Sequence, residues 1–344
     1  MKNIEVPALA RVEGEGGLFI GLQDGKAVEI RLDIYEPPRF FEGFLVGRFL
    51  QEVPDITARI CGICPVAYQM SSVYALERAL GVTIHPQARL LRRLMYCGEY
   101  IESHALHIYL LQAPDMLGVQ SALELAATAP DVVKNALRLK KIGNNLLKAI
   151  GGRSVHPVNV CVGGFYRWPK AADLKALLPD LEWGLAASIE CAKWAATLPY
   201  PDLEIDYEFV ALHHPNEYGV IEGEVLSSKG RVLTIPEYEN GYIEEHVKHS
   251  NALHSHTVDG STYLVGPLAR LNLNNQQLLP AAKQALKDTG LELPLKNPYK
   301  SLLARAIELV HFYEEAIQLI NAYKPEGRSY VNLKLKAGEG TGAT

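Results

Sequence analysis

Apolar and polar residues alternate from Gly17 to Tyr35 on either side of Asp24-Gly25, a dipeptide suited to the positive-φ positions of a tight turn. The pattern predicts a β-hairpin with strands near 18–22 and 27–34, and the residues before it, to Glu15, read as strand and polar loop. After Pro37-Pro38 the period changes: Phe41, Phe44, Leu45 and Phe49 recur at helical spacing and predict a short helix within Phe40 to Glu52. Val66 to Leu80 predicts another, with Pro65 at its first turn and Gly81 just past its end. Pro86 to Gln112 carries Leu90, Leu94, Ile101, Ala105 and Ile108 on one helical face without an internal proline. A helix of about 27 residues would run about 40 Å at 1.5 Å per residue, enough to be the central strut of a bundle. Pro130 to Ile150, Lys170 to Thr197 (with a break expected at Pro179), Leu278 to Asp288 and Tyr299 to Tyr323 predict further helices. Between them, Leu203 to about Val265 turns to short β-rich runs with turn signals at Lys229-Gly230 and Asn240-Gly241.

These elements predict an α+β protein, predominantly helical, in one large domain over residues 1–333. Its parts are a β-hairpin region (1–35), a helical bundle (36–200), a β-rich insertion (201–270) and further bundle helices (271–333). A glycine-rich tail, 334–344, adds no core residues. Composition supports a folded chain: of 344 residues 48% are hydrophobic and 21% charged, far from the signature of disorder. The net charge of −5, with the paired basics Arg92-Arg93 and Lys140-Lys141 inside helical patterns, leaves no stripe for nucleic acid. The longest uncharged run, Ile60 to Leu76, is broken by Gly62 and Pro65, so no membrane span is expected. With no apolar leader at the N-terminus, the expected location is cytoplasmic.

Five cysteines, Cys61, Cys64, Cys97, Cys161 and Cys191, are too few and too scattered for a disulfide framework. Cys61-Gly62-Ile63-Cys64 places two thiols where both can turn to one metal ion or to each other. Pro65 begins a helix, so Cys64 falls near a helix N-terminus, where the dipole favours a thiolate. Metal binding, a redox disulfide and a purely structural pair all remain open from the chemistry alone. Glu13 and Glu15 stand in the glycine-dense run Arg11 to Gly17, where close approach to another element would desolvate a carboxylate and suit it to carry protons near neutrality. His104 and His107 lie one turn apart and are expected to be buried, hydrogen-bonded histidines more often than ligands. His249, His254 and His256 lack the neighbouring carboxylates of a strong metal motif. Gly151 to Gly164 frames a loop without the Gly-Lys-Ser/Thr ending of a phosphate cradle.

Taken in order, these segments resemble the large subunit of [NiFe] hydrogenases. Arg11-Val12-Glu13-Gly14 looks like the family's N-terminal element and Arg59-Ile60-Cys61-Gly62-Ile63-Cys64 like its first metal motif. Ser103-His104 to Tyr109, Gly151 to Gly164 and, more weakly, Tyr263 to Arg270 are similar to later family segments. The likeness spans nearly the whole chain and is densest over residues 1–165. The spellings Gly14-Glu15-Gly16-Gly17 and Cys64-Pro65-Val66-Ala67-Tyr68 look most like the soluble, multisubunit branch, which includes NAD(P)-linked enzymes and sulfhydrogenases. The resemblance implies a Ni-Fe centre carrying small diatomic ligands, with Cys61 a terminal nickel thiolate and Cys64 a thiolate bridging nickel to iron. It also implies Glu13 as the first proton relay, Glu42 as a carboxylate holding Mg²⁺, and reversible heterolysis of H₂. The implied partners are a small subunit with iron–sulfur clusters and further electron-transfer subunits.

Tyr68 departs from this pattern, since many family members carry a histidine four residues after the second cysteine. A second Cys-x-x-Cys motif, which in the family supplies the other two nickel thiolates, is not found after Cys191. Half of the nickel ligands are therefore expected in this chain, which reads as truncated or split and inactive alone. Two other readings compete: a non-catalytic assembly subunit that keeps the fold, and the related large subunit of a quinone oxidoreductase, against which the surviving Cys61/Cys64 pair argues.

Overall fold

The computed structural model describes residues 2–344. Strands β1 (Lys2–Val6), β2 (Gly16–Gln23) and β3 (Lys26–Ile34) form an antiparallel sheet with β2 in the middle. The hairpin and the strand before it thus follow the alternation in the sequence. The next region is less helical than its phenylalanine spacing suggests: α1 spans only Phe41–Leu45, and α2 is a separate turn and a half at Val53–Ala58. None of the residues of α1 is buried, so its apolar face has no core to hold a longer helix.

The bundle begins with α3 (Pro65–Leu80), which ends at the left-handed Gly81, φ 67°, and turns into α4 (Pro86–Leu106). The long helix expected to Gln112 changes character after Leu106: His107–Gln112 widens into a π-helix, followed by α5 (Ala113–Leu117). After α6 (Ala122–Thr128), α7 (Pro130–Gly151) packs along α4. Gly98 and Gly143 make this crossing possible, because a Cβ on Gly143 would lie 2.6 Å from the Gly98 carbonyl oxygen. A short antiparallel pair, β4 (Val160–Cys161) and β5 (Gly164–Phe165), follows. Next come α8 (Ala171–Lys175) and α9 (Leu178–Ala196), so the expected break falls just before Pro179, which takes a first-turn position of α9.

The β-rich region holds β6 (Glu208–His213), β7 (Glu224–Ser227), β8 (Val232–Leu233), β9 (Tyr242–Glu245), β10 (His254–Thr257) and β11 (Tyr263–Leu264). Four of them form a sheet in the order β11-β6-β7-β8, while β9 and β10 pair separately. Helices α10 (Pro267–Asn274), α11 (Pro280–Asp288) and α12 (Ser301–Ala322) complete the bundle, with α12 against α9 and α4. One large core runs through α3, α4, α7, α9 and α12, and a smaller one, around Val210, Val225, Ile235 and Tyr242, lies in the β-rich part. Among the described residues no helix is long and apolar enough to cross a membrane.

The glycine-rich tail is not detached. Gly338, Gly340 and Gly342 lie against the backbone of Ala79, Ala75 and Ser71, so the tail runs antiparallel along α3 and its glycines permit main chain to meet main chain. Ala343 packs against the smaller core, a contact not foreseen from the lack of large apolar residues in 334–344.

Candidate functional site

The Cys61-x-x-Cys64 turn joins α2 to α3 and is half-buried. Its sulfurs are linked as a disulfide, and the Cys64 amide donates to Cys61 Sγ at 3.1 Å. Three groups from elsewhere in the chain hold the turn. The Arg39 guanidinium donates to the carbonyls of Arg59 and Ile60, just before the first cysteine. His156 Nε2 lies 3.2 Å from the Cys61 carbonyl oxygen. Burial, with Arg59 beside it, lowers the imidazole's pKa, so the neutral ring donates from Nε2. His156 holds a left-handed backbone, φ 50°, a conformation that costs on the order of 1–3 kcal/mol and persists when surrounding contacts fix it.

The third group is Glu99. Cys64 is the N-cap of α3 but makes no side-chain cap bond, and Pro65 has no N–H. The first free amides of the helix, Val66 and Ala67, instead donate to the two Glu99 oxygens at 2.7 and 3.2 Å from α4. Burial pushes this carboxyl up to about 8, while the two amides pull the other way. A proton and the end of α3 thus compete for the same oxygens near neutral pH.

At its other end α3 is tied to α4 by a buried ion pair. Arg92 donates to both Glu77 oxygens at 2.8 and 2.6 Å, and Glu77 also accepts the Gly163 amide at 2.7 Å. Of the paired basics that argued against nucleic acid, Arg92 and Arg93 are interior, where Arg92 meets Glu77 and Arg93 meets Glu315 at 2.8 Å, while Lys141 is exposed. Deeper in the bundle, Glu308 is fully enclosed and accepts from Arg270 (2.7 and 2.8 Å), Tyr218 (2.8 Å) and His104 (2.8 Å). Burial would raise its pKa, but Arg270 and His104 outweigh that and hold it well below the ordinary carboxylate range. His104 is itself lowered to about 4 by burial, and so is a buried, hydrogen-bonded histidine. His107, on the π-helix, is lowered to about 3 by burial, and its Nδ1 is enclosed without a partner.

A soft metal would find two fitting donors here, Cys61 and Cys64, once their disulfide is reduced. The other thiols are spent in the core: burial pushes Cys161 up to about 11 and Cys191 up to about 12, and Cys97 is bonded to Glu315. Glu13 and Glu42 are both exposed, Glu13 on a loop that Arg11 ties down through Asp115 and the Gln120 carbonyl, Glu42 in the first turn of α1. His249 and His254 meet edge to face at 5.4 Å, while His256 faces Glu245. Among the described residues no three His, Cys, Asp or Glu side chains converge on one point.

The sequence pattern marked the cysteines but missed Glu99 and Arg39. The signal for Glu99 was present: residue 64 is not a capping residue, so the start of α3 needs an acceptor from elsewhere. An acidic residue four positions after Met95, on an otherwise interior helix, is one.

The family model described as nickel-dependent hydrogenase matches residues 39–151, which contain the cysteine turn, α3, α4 and α7. The alpha subunit of sulfhydrogenase 1 from Pyrococcus furiosus is 34% identical over 93% of this chain and 76% of its own length. The alpha subunit of sulfhydrogenase 2 from the same organism is also 34% identical, over 98% and 80% respectively. Among solved structures, an NAD⁺-reducing [NiFe]-hydrogenase in the H₂-reduced state superposes with a TM-score of 0.85 at 26% identity, covering 97% of this chain and 81% of that one. The fold, the Cys61/Cys64 turn and these relatives together place the chain in the nickel-dependent hydrogenase family, as a large subunit of a [NiFe] hydrogenase, an oxidoreductase acting on H₂.

Proposed function

We propose that the thiolates of Cys61 and Cys64 would hold the Ni-Fe centre, Cys61 toward nickel, the pair supplying two of the four thiolates. The others would come from thiolates other than those of the five cysteines in these 344 residues. The observation that carries this reading is the cysteine turn itself: two half-buried sulfurs at a helix start, with the backbone on both sides held by Arg39, His156 and Glu99. When bound, the Ni-Fe centre supplies reversible heterolytic cleavage of H₂. Glu13, on its glycine-flanked loop, takes the released proton and passes it to solvent. Glu42 offers a hard carboxylate oxygen to Mg²⁺.

Electrons leave to an iron–sulfur small subunit, followed by further electron-transfer subunits, in a cytoplasmic hetero-oligomer. The surface beside the turn suits such a partner: Phe40, Phe44, Val46 and Phe49 are all exposed, Val46 at 83% and Phe49 at 78%. Arg39, next to Phe40, reaches the Ile60 carbonyl and joins this apolar patch to the cysteine turn.

Nickel retention by the reduced protein, assembled with its partners and the remaining thiolates, tests the ligand assignment. There wild type should hold nickel through gel filtration, with a thiolate-to-nickel absorption band, and C61S or C64S should weaken retention at least tenfold. Equal retention by the serine variants would overturn it. In the enzyme assembled with its partners, E13Q should lower H₂-dependent dye reduction by about 10²–10⁴ without loss of nickel.

A further inference from the structure

We propose that Glu99 is a positioning residue for the metal-binding turn: from α4 its carboxylate clamps the first turn of α3 and so fixes where Cys64 stands relative to Cys61. The proposal rests on the reading of Cys64 as a metal ligand only for its catalytic meaning, since the clamp itself is a matter of geometry. Val66 and Ala67, two and three residues after Cys64, are the first amides α3 has to offer, and both are taken by Glu99. Residue 64 provides no cap of its own, and Pro65 cannot donate. The acceptor therefore sits 32 and 33 residues away in sequence, on a helix whose position is set by its packing on α7 and α12. Because the Cys64 amide bonds to Cys61 Sγ, movement of the first turn of α3 is passed directly to the cysteine pair. Glu102, three residues further along α4, is equally buried but bonds to Lys140 rather than to α3. It is the natural control.

The pair's own thiol–disulfide exchange reads the clamp without any metal. Two thiols of the chain pass two electrons and two protons to glutathione disulfide, which leaves as two glutathione molecules, and the equilibrium constant reports how well the two sulfurs are held together. E99A should shift this equilibrium toward the dithiol by about tenfold, equivalent to about 1.4 kcal/mol. E99Q, which keeps one acceptor oxygen, should shift it by about threefold. E102Q should leave it within twofold.

Circular dichroism shows whether each variant is folded. A folded E99A that shifts by less than threefold overturns the proposal, as does an E102Q shift as large as that of E99A. If E99A does not fold, E99Q decides: a shift of twofold or more supports the clamp, and a smaller one overturns it. Nickel retention by the same variants separates the two readings. A thiol shift with no nickel bound even by wild type assembled with its partners and the remaining thiolates would leave the clamp standing and remove the metal assignment.

Discussion

Removing the Glu77 carboxylate should destabilise the protein far more than its single position suggests. The Arg92 side chain has no solvent exposure, and its two terminal nitrogens are matched to the two oxygens of Glu77 at 2.8 and 2.6 Å. Burial acts against the guanidinium's charge, and Glu77 more than restores it, so Arg92 stays ionised in the core. In E77A that charge keeps only the weak contact to the Cys161 carbonyl at 3.4 Å and the face of the Tyr74 ring at 5.4 Å, and the Gly163 amide loses its acceptor. An uncompensated buried charge costs about 3–5 kcal/mol. An orphaned amide adds about 1–3 kcal/mol. Against a typical total of about 5–15 kcal/mol, E77A should lose roughly a quarter or more of the stability.

Urea titration followed by circular dichroism measures the loss. The double variant E77M/R92M separates the charge from the packing: it removes both ionic groups, fills similar volume and should recover most of the loss, leaving the cost of the Gly163 amide. An E77A penalty below about 1 kcal/mol, or a double variant as unstable as E77A, would refute the account of this pair as a mutually dependent buried ion pair.

Other outcomes are expected from the same structure. His104, His107 and His311 are lowered to about 4, 3 and 4 by burial, so the unfolded chain binds more protons than the folded one below an ordinary histidine pKa of about 6.5. The stability they contribute is present in full above that pH and is lost as pH falls toward 4; Glu99 and Glu102, raised by burial, oppose this only in part. Urea midpoints should drop between pH 7 and 5, and a flat profile would contradict the sign. G143A should lower the melting temperature, because its Cβ meets the Gly98 carbonyl at 2.6 Å and the Glu102 amide at 2.7 Å. Overpacking of about 1–3 kcal/mol then exceeds the roughly 1 kcal/mol of helix propensity gained, and a rise in melting temperature would show that the crossing can relax. F44S/F49S should leave stability within about 0.5 kcal/mol while improving solubility of the isolated chain and weakening co-purification of its small partner.

Local signals in the chain were strong where the cause was local. Pro65 with Gly81 bounded α3, Pro130 opened α7, and Asp24-Gly25 turned the hairpin, each through a backbone restriction carried by the residue itself. The helix expected over Phe40 to Glu52 failed because its phenylalanines share a helical period without a core to bury them. The long strut after Pro86 was legible as a helix, but its change to a π-helix at His107 was not, because no residue type there enforces the wider turn.

By itself, then, the sequence determined the predominantly helical class, the element order and the cysteine pair, because helix period, proline and glycine stops and two thiols at a fixed spacing act over a few residues. Tertiary structure alone decided what holds that pair. Arg39, Glu99 and His156 reach the cysteine turn and the start of α3 from about 20 to about 95 residues away in sequence, and Glu77 meets Arg92 across the α3–α4 hairpin. It also decided that the tail lies along α3, where only glycines let two backbones touch. Bonds between distant residues depend on how helices pack, and packing is set by the whole core rather than by any short stretch of residues.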